Sequence, residues 1–270
     1  MPDTYADINY LRPGQERPVY YASQGGADAA IRVGAEFDTH SVDVSDIRLQ
    51  SGPITLDQQG FCLLQHRSAI TDFYDLETVR PQYEKEIKAL VLATTGGQEA
   101  LVFDHTLRSD SAEVRGQRTT REPASVIHND YTDQSAAKRL RDLLPAEDAS
   151  KSLGKRFAIV NVWRPVNNPA INSPLTLCDF STCDPADFVA CERRAADRIG
   201  ELELVTYNPQ HRWYYASELQ PDEVLLIKTF DSLQVGTARR VAHTAFNNPL
   251  APGDAPPRES IESRMLVFFR

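Results

Sequence analysis

Six short runs rich in β-branched and aromatic residues fill the second half of this chain. They are Phe157 to Trp163, Leu202 to Tyr207, Trp213 to Tyr215, Val224 to Phe230, Val241 to Phe246 and Ile261 to Phe269. Turns rich in Pro, Asn, Asp and Gly separate them. Many short strands with little helix between them point to a sandwich or a barrel. A double-sheet jelly roll, the double-stranded β-helix of cupin-like proteins, manages its strand edges in this way.

The first half reads differently. Residues 1–65 mix β-like runs, such as Arg17 to Tyr21 and Gly60 to Leu64, with turn residues. Ile70 to Thr95 has helical spacing, with Ile87, Leu90, Val91 and Leu92 near one face and an interruption at Pro81. Gly96-Gly97 closes that helix, and Ala100 to Phe103 reads as a buried strand. Residues 109–124 are polar, carry Arg115, Arg118 and Arg121, and read as a solvated loop that could act as a lid. Asp133 to Leu144 suits a helix capped near Thr132 or Asp133. The expected organisation is a mainly β fold with flanking helices in a single domain over 1–270. Residues 1–100 would form an N-terminal extension with helices and residues 101–270 the jelly-roll core.

Composition excludes several function classes. The 270 residues are 41% hydrophobic and 25% charged, as in an ordinary globular protein rather than a disordered one. No apolar run approaches the roughly 20 residues of a membrane span. The N-terminus MPDTYADINYL lacks the basic start and apolar core of a secretory signal, so the expected setting is cytoplasmic. The net charge of −9 argues against nucleic acid and leaves a small-molecule substrate as the expected partner. Nothing in the sequence speaks to oligomeric state. The cysteines Cys62, Cys178, Cys183 and Cys191 are too few for a disulfide framework and contain no CxxC pair, so they read as reduced packing thiols.

The chemistry begins at His128-Asn129-Asp130, just after the apolar pair Val126-Ile127. In an extended segment residues i and i+2 point to one face, so an imidazole and a carboxylate can converge on one metal. His243 lies 113 residues after Asp130, inside another strand-like run. Two histidines and one carboxylate make the facial triad of non-haem Fe(II) oxygenases. HxD alone is a weak signal, equally a strand-end histidine beside a turn-capping aspartate. Arg258 comes 15 residues after His243, and Arg258, Ser260 and Arg264 share parity on the last strand. A guanidinium clamps a carboxylate through two parallel hydrogen bonds, and a serine hydroxyl can add a third. That suits the distal carboxylate of 2-oxoglutarate, with Arg258 and Arg264 as the candidate anchors.

These stretches resemble a family of secondary-metabolite oxygenases known as hydroxylase/desaturases, gibberellin desaturase-like and related to a cephamycin methoxylation protein. The matching pieces include Asn9-Tyr10-Leu11, Val102 to Arg108, Val126 to Tyr131, Asn161 to Pro165, Cys178-Asp179, His211 to Tyr215, Pro221 to Val224, His243 to Phe246 and Pro257 to Arg264. The resemblance covers nearly the whole chain. It implies a double-stranded β-helix, Fe(II), 2-oxoglutarate and O₂, with hydroxylation, desaturation or ring formation as outcomes.

Other residues are secondary candidates. Asn161 could hydrogen-bond 2-oxoglutarate or substrate. Trp163, Arg164, Arg121 and Trp213 are weaker candidates for substrate contact. His105 reads as structural or substrate-facing, and His211 as packing. Two rival functions remain at this point. One is a metal-assisted isomerase or lyase that does not consume 2-oxoglutarate. The other is a non-catalytic β-sandwich binding module.

Overall fold

The computed structural model describes residues 3–118, 120–196 and 198–270. The chain opens with β1 (Thr4–Leu11), β2 (Val19–Tyr21), β3 (Arg32–Gly34), β4 (Phe37–Asp46) and β5 (Phe61–Gln65). Helix α1 (Leu76–Thr95) and the long strand β6 (Glu99–Ser109) follow, then α2 (Ala112–Arg118), β7 (His128–Asn129), α3 (Asp133–Leu143) and α4 (Ala146–Leu153). Strands make up most of the remainder: β8 (Phe157–Pro165), β9 (Leu175–Cys178), β10 (Phe188–Arg194), β11 (Ile199–Val205), β12 (Trp213–Tyr215), β13 (Glu223–Asp231), β14 (His243–Ala245) and β15 (Glu259–Phe268).

Two sheets contain all of these strands. One is ten-stranded, in the order β1-β4-β12-β9-β14-β7-β11-β10-β2-β3. The other is five-stranded, β5-β13-β8-β15-β6. They face one another through a core in which Phe61, Trp163, Leu225 and Ile227 of the smaller sheet meet Leu175 and Leu177 of the larger. This is the mainly β, two-sheet architecture that the strand pattern predicts. Strand alternation then sends Val160, Val162, Val224, Leu226, Ile261 and Met265 to the outer face of the smaller sheet, where α1 covers them with Tyr83, Ile87 and Val91.

Pro81 lies inside α1 and does not break it. Its missing amide costs the helix one hydrogen bond, to the Glu77 carbonyl, and the chain continues helical past it. Gly96 ends the helix at φ 70°, a left-handed conformation that suits glycine. Thr132 caps α3 in a reciprocal box with Ser135. The polar segment 109–124 contains α2, and its return run pairs Arg121 with Arg108 of β6.

The expected division at residue 100 does not coincide with a boundary in the sheets. β1 and β4 extend the large sheet beside β12, and β5 pairs with β13 in the small one. Residues 1–65 therefore supply strands to both layers, and α1 is the one α-helix among the described residues of 1–100. Among the described residues no helix is long and apolar enough to cross a membrane.

Candidate active site

The two histidines meet because β7 and β14 are neighbours in the large sheet, with His243 paired directly to His128. Their rings lie 4.4 Å apart, centroid to centroid. Each Nδ1–H donates to the carbonyl two residues upstream: His128 to Val126 at 2.8 Å, His243 to Val241 at 2.9 Å. That fixes the tautomer and leaves both Nε2 lone pairs free, as metal-ligating histidines require. His128 Nε2 is 3.7 Å from Asp130 Oδ1, and the donor atoms of His128, Asp130 and His243 all lie within 4.8 Å of one another. Burial and the neighbouring His243 push the His128 imidazole down to about 3, so it is a neutral ligand at ordinary pH.

Asp130 is held from the opposite sheet. Its Oδ2 accepts from Asn161 Nδ2 at 2.7 Å and from Arg264 Nε at 2.9 Å. Asn161 and Arg264 are direct partners across β8 and β15, which explains why both reach one oxygen. Burial alone would raise the Asp130 carboxyl, but Arg264 and the two histidines hold it well below the usual range. It is therefore ionised, with Oδ1 turned toward the histidines. Nitrogen, nitrogen and carboxylate oxygen, with no sulfur, is a donor set suited to Fe(II).

The two arginines of β15 differ in what they touch. Arg264 Nη1 donates to Asp104 at 2.7 Å and Nη2 to Glu262, so with Asp130 it serves three carboxylates. The parity argument groups it with Arg258 as a possible clamp, but its donors are already committed to protein carboxylates. Asn161 is likewise spent on Asp130 and Glu262. Arg258 is only 1% exposed and makes no ion pair with a described residue. Its Nη1 donates to the Ser173 carbonyl at 2.7 Å, its face lies over Trp163 at 5.4 Å, and its Nε has no protein partner. Burial and Arg108 push this guanidinium down to about 10, still charged at neutral pH. On the same strand face the Ser260 hydroxyl is also buried without a partner. A buried cation without a carboxylate partner among the described residues and a buried hydroxyl without a hydrogen bond fit one anionic carboxylate group.

A cavity of about 270 Å³ opens onto His128, Asp130 and Arg264. Arg108, Arg121, Arg193 and Arg198 line it. The side chains of Arg121, Arg193 and Arg198 make no hydrogen bond or ion pair with a described residue. Burial, then Arg108, lowers Arg121, and burial, then Arg264, lowers Arg193. Glu122 lines the same cavity, buried, with neither carboxylate oxygen partnered. Glu122 and Arg193 escaped sequence reasoning. The parity of Arg258, Ser260 and Arg264 pointed equally to Glu262.

Two weaker candidates lie elsewhere. Arg164 faces the outer core, where its Nη2 donates at 2.6 Å to the carbonyls of both His66 and Pro221. Alternation along β8 separates it from Asn161 and Trp163, so it does not line the cavity. Trp213 is buried behind the large sheet and donates to the Tyr10 hydroxyl at 2.8 Å. Trp163 is a core residue that reaches the site only through Arg258. His105 links β6 to Ser263 and Glu84, outside the cavity.

A family model described as an oxidoreductase/YMDC permease-like domain matches residues 8–268. The hydroxylase/desaturase efuI of Hormonema carpetanum is 35% identical, over 87% of this chain and 85% of its own. The Fe(II)/2-oxoglutarate-dependent dioxygenase nvfI of Aspergillus novofumigatus is 33% identical, over 85% and 83%. A solved structure of the iron and alpha-ketoglutarate-dependent endoperoxidase NvfI superposes with a TM-score of 0.85 at 27% identity, covering 99% of this chain and 98% of that one. The chain thus belongs to the Fe(II)- and 2-oxoglutarate-dependent hydroxylase/desaturase family of secondary metabolism.

Proposed function

We propose that this protein oxidises a small, carboxylate-bearing metabolite, with Fe(II) held by His128, Asp130 and His243 and 2-oxoglutarate anchored by Arg258 and Ser260. The observation that carries this reading is the contrast on β15: Arg264 is consumed by three carboxylates, whereas buried Arg258 has none. Bound iron with O₂ and 2-oxoglutarate supplies C–H oxidation, 2-oxoglutarate leaving as succinate and CO₂. The chain itself positions and shields. Val126 and Val241 carbonyls orient the histidines, Asn161 and Arg264 orient Asp130, and the buried walls limit water.

The arginines support the substrate class. Three unpaired guanidiniums beside a metal site favour an anionic ligand, and Glu122 can accept from a donor on the same molecule, as in an amino-acid-like metabolite. Four free cysteines agree with a reducing, cytoplasmic setting. Strands shared between both sheets agree with a single oxygenase domain over residues 1–270.

With substrate, ¹⁸O₂ should place one labelled atom in succinate, and the product should be two hydrogens lighter or one oxygen heavier. A product isomeric with its substrate, formed at full rate without O₂, would instead establish an isomerase. No 2-oxoglutarate turnover in any metabolite extract would favour a binding module. The consumed metabolite should be retained by an anion exchanger at neutral pH; a neutral one would remove the role assigned to Arg121 and Arg193.

A further inference from the structure

A second group of metal-ligating side chains lies outside the oxygenase site. Cys178 ends β9, Cys183 follows the short 3₁₀ turn Phe180–Thr182, and His211 precedes β12. Sequence reasoning treats all three as packing groups, because the cysteines are five residues apart and the histidine is 28 further on. The fold brings them together. The two Sγ atoms are 3.5 Å apart, and both thiols and an imidazole nitrogen lie within 4.8 Å of one another. Two thiolates on one tetrahedral zinc are roughly 3.8 Å apart, given Zn–S bonds of about 2.3 Å. The present spacing is therefore close to that of a ligand set.

The surroundings are built as they are around metal-binding histidines. His211 Nε2 donates to Asp187 Oδ2 at 3.0 Å, and Asp187 is itself held by the Asp184 amide at 2.8 Å and Asn208 Nδ2 at 3.0 Å. A carboxylate on one ring nitrogen fixes the tautomer and makes the other a better ligand. That other nitrogen, Nδ1, lies 3.2 Å from the Tyr10 hydroxyl. Cys178 is fully buried and the His211 side chain is 1% exposed, whereas Cys183 and His211 border a surface depression that offers access.

We propose that Cys178, Cys183 and His211 form a second metal site, for one soft divalent cation of the zinc class, structural in role and separate from the iron centre. Water from the depression completes the coordination. Two thiolates select such an ion over Fe(II). The site braces the strand beside an iron ligand. The Cys178 amide donates to the Ala242 carbonyl at 2.8 Å, and Leu177 pairs with His243. An ion at Cys178 ties β9 to the 179–183 turn and to the start of β12.

The test is cobalt titration of the full-length, metal-free protein under a non-thiol reductant. Cobalt bound by sulfur shows near-ultraviolet thiolate-to-cobalt charge transfer, which the His128–Asp130–His243 site has no atom to produce. The expected result is two Co²⁺ per chain. The charge-transfer band should saturate with one of them, survive His128→Ala, and vanish when one equivalent of Zn²⁺ is added. Cys178→Ser and Cys183→Ser should each abolish the band while one sulfur-free cobalt remains. One Co²⁺ per wild-type chain with no charge transfer overturns the proposal without recourse to any variant. So does a band that persists in a folded Cys178→Ser/Cys183→Ser double variant, since Cys62 or Cys191 would then be the source.

Discussion

Arg258 and Arg264 are six residues apart on one face of one strand, yet their tasks diverge because their neighbours do. Arg264 stands opposite Asn161 and beside Asp104 and Glu262, so it stabilises Asp130. Arg258 stands beside a carbonyl, an indole and an unpartnered hydroxyl. Two opposite kinetic signatures follow. Arg258→Ala should raise the 2-oxoglutarate KM about 10- to 100-fold, since losing a charge-assisted hydrogen-bonded pair costs about 1.5–3 kcal/mol, and should leave iron affinity nearly unchanged. Asn161→Ala should do the reverse and weaken iron binding by about 10- to 100-fold, the usual effect of removing a group that orients a ligand. Steady-state kinetics at varied 2-oxoglutarate and at varied Fe(II) separate the two. If Asn161→Ala raised only the 2-oxoglutarate KM, the assignment of Asn161 to Asp130 would be wrong. The identity of these residues was legible from strand parity, but their division of labour depends on partners from β6, β8 and the turn after β7.

At the scale of elements, His128 and His243, the histidines proposed to hold iron, sit on strands of two and three residues, too short to hold themselves in place. β14 depends on what precedes it, the segment Ala238 to Val241 packed against Gly60. Gly60 has φ +91°, and a Cβ there would stand 2.4 Å from Val241 Cγ2 and 3.3 Å from Ala238 Cβ. The Val241 carbonyl is the one that orients His243. Gly60→Ala should therefore destabilise the fold by about 1–3 kcal/mol through overpacking and should also loosen iron binding. Denaturant unfolding with and without Fe(II) measures both effects. Loss of stability with unchanged iron affinity would show that the strain is absorbed before it reaches His243. Thr132 offers a second stability test, at a helix cap. Thr132→Ala should cost about 0.5–2 kcal/mol through its lost cap on α3, seen as a shift in the denaturation midpoint.

For the whole molecule, the proposed iron site joins the two sheets: the histidines come from the large one, and Asn161 and Arg264, which hold Asp130, from the small one. A ligand bound only by the folded state stabilises by mass action, about 2.7 kcal/mol at 100-fold its dissociation constant. For a chain of this size that corresponds to roughly 5–10 °C in Tm. Anaerobic Fe(II) should raise the Tm by this amount in the wild type and by nearly nothing in His243→Ala. Equal shifts in both proteins would mean that the stabilising metal binds elsewhere. The charge distribution belongs to this scale too. In a chain of net charge −9, one cavity gathers Arg121, Arg193 and Arg198 without ion-pair partners among the described residues, which is the basis of the proposed anionic substrate.

Much was set by local pattern. Alternating apolar residues and turn chemistry are enough to specify short strands, so the two-sheet architecture and the positions of β8, β12, β13 and β15 could be read directly from the sequence. The HxD spacing, the distant histidine and the parity of the last strand follow from the same geometry. Sheet membership could not be read in this way, because pairing partners lie up to two hundred residues apart and are chosen by packing, not by proximity in the chain. Hence residues 1–100 read as an N-terminal extension with helices, although residues 1–65 supply strands to both layers. Arg164 and Asn161, three residues apart on β8, end on opposite faces with unrelated partners. Cys178, Cys183 and His211, unremarkable in the sequence, become neighbours only because β9 and β12 lie side by side. Periodicity decides which way a side chain points; only the assembled sheets decide what it meets there.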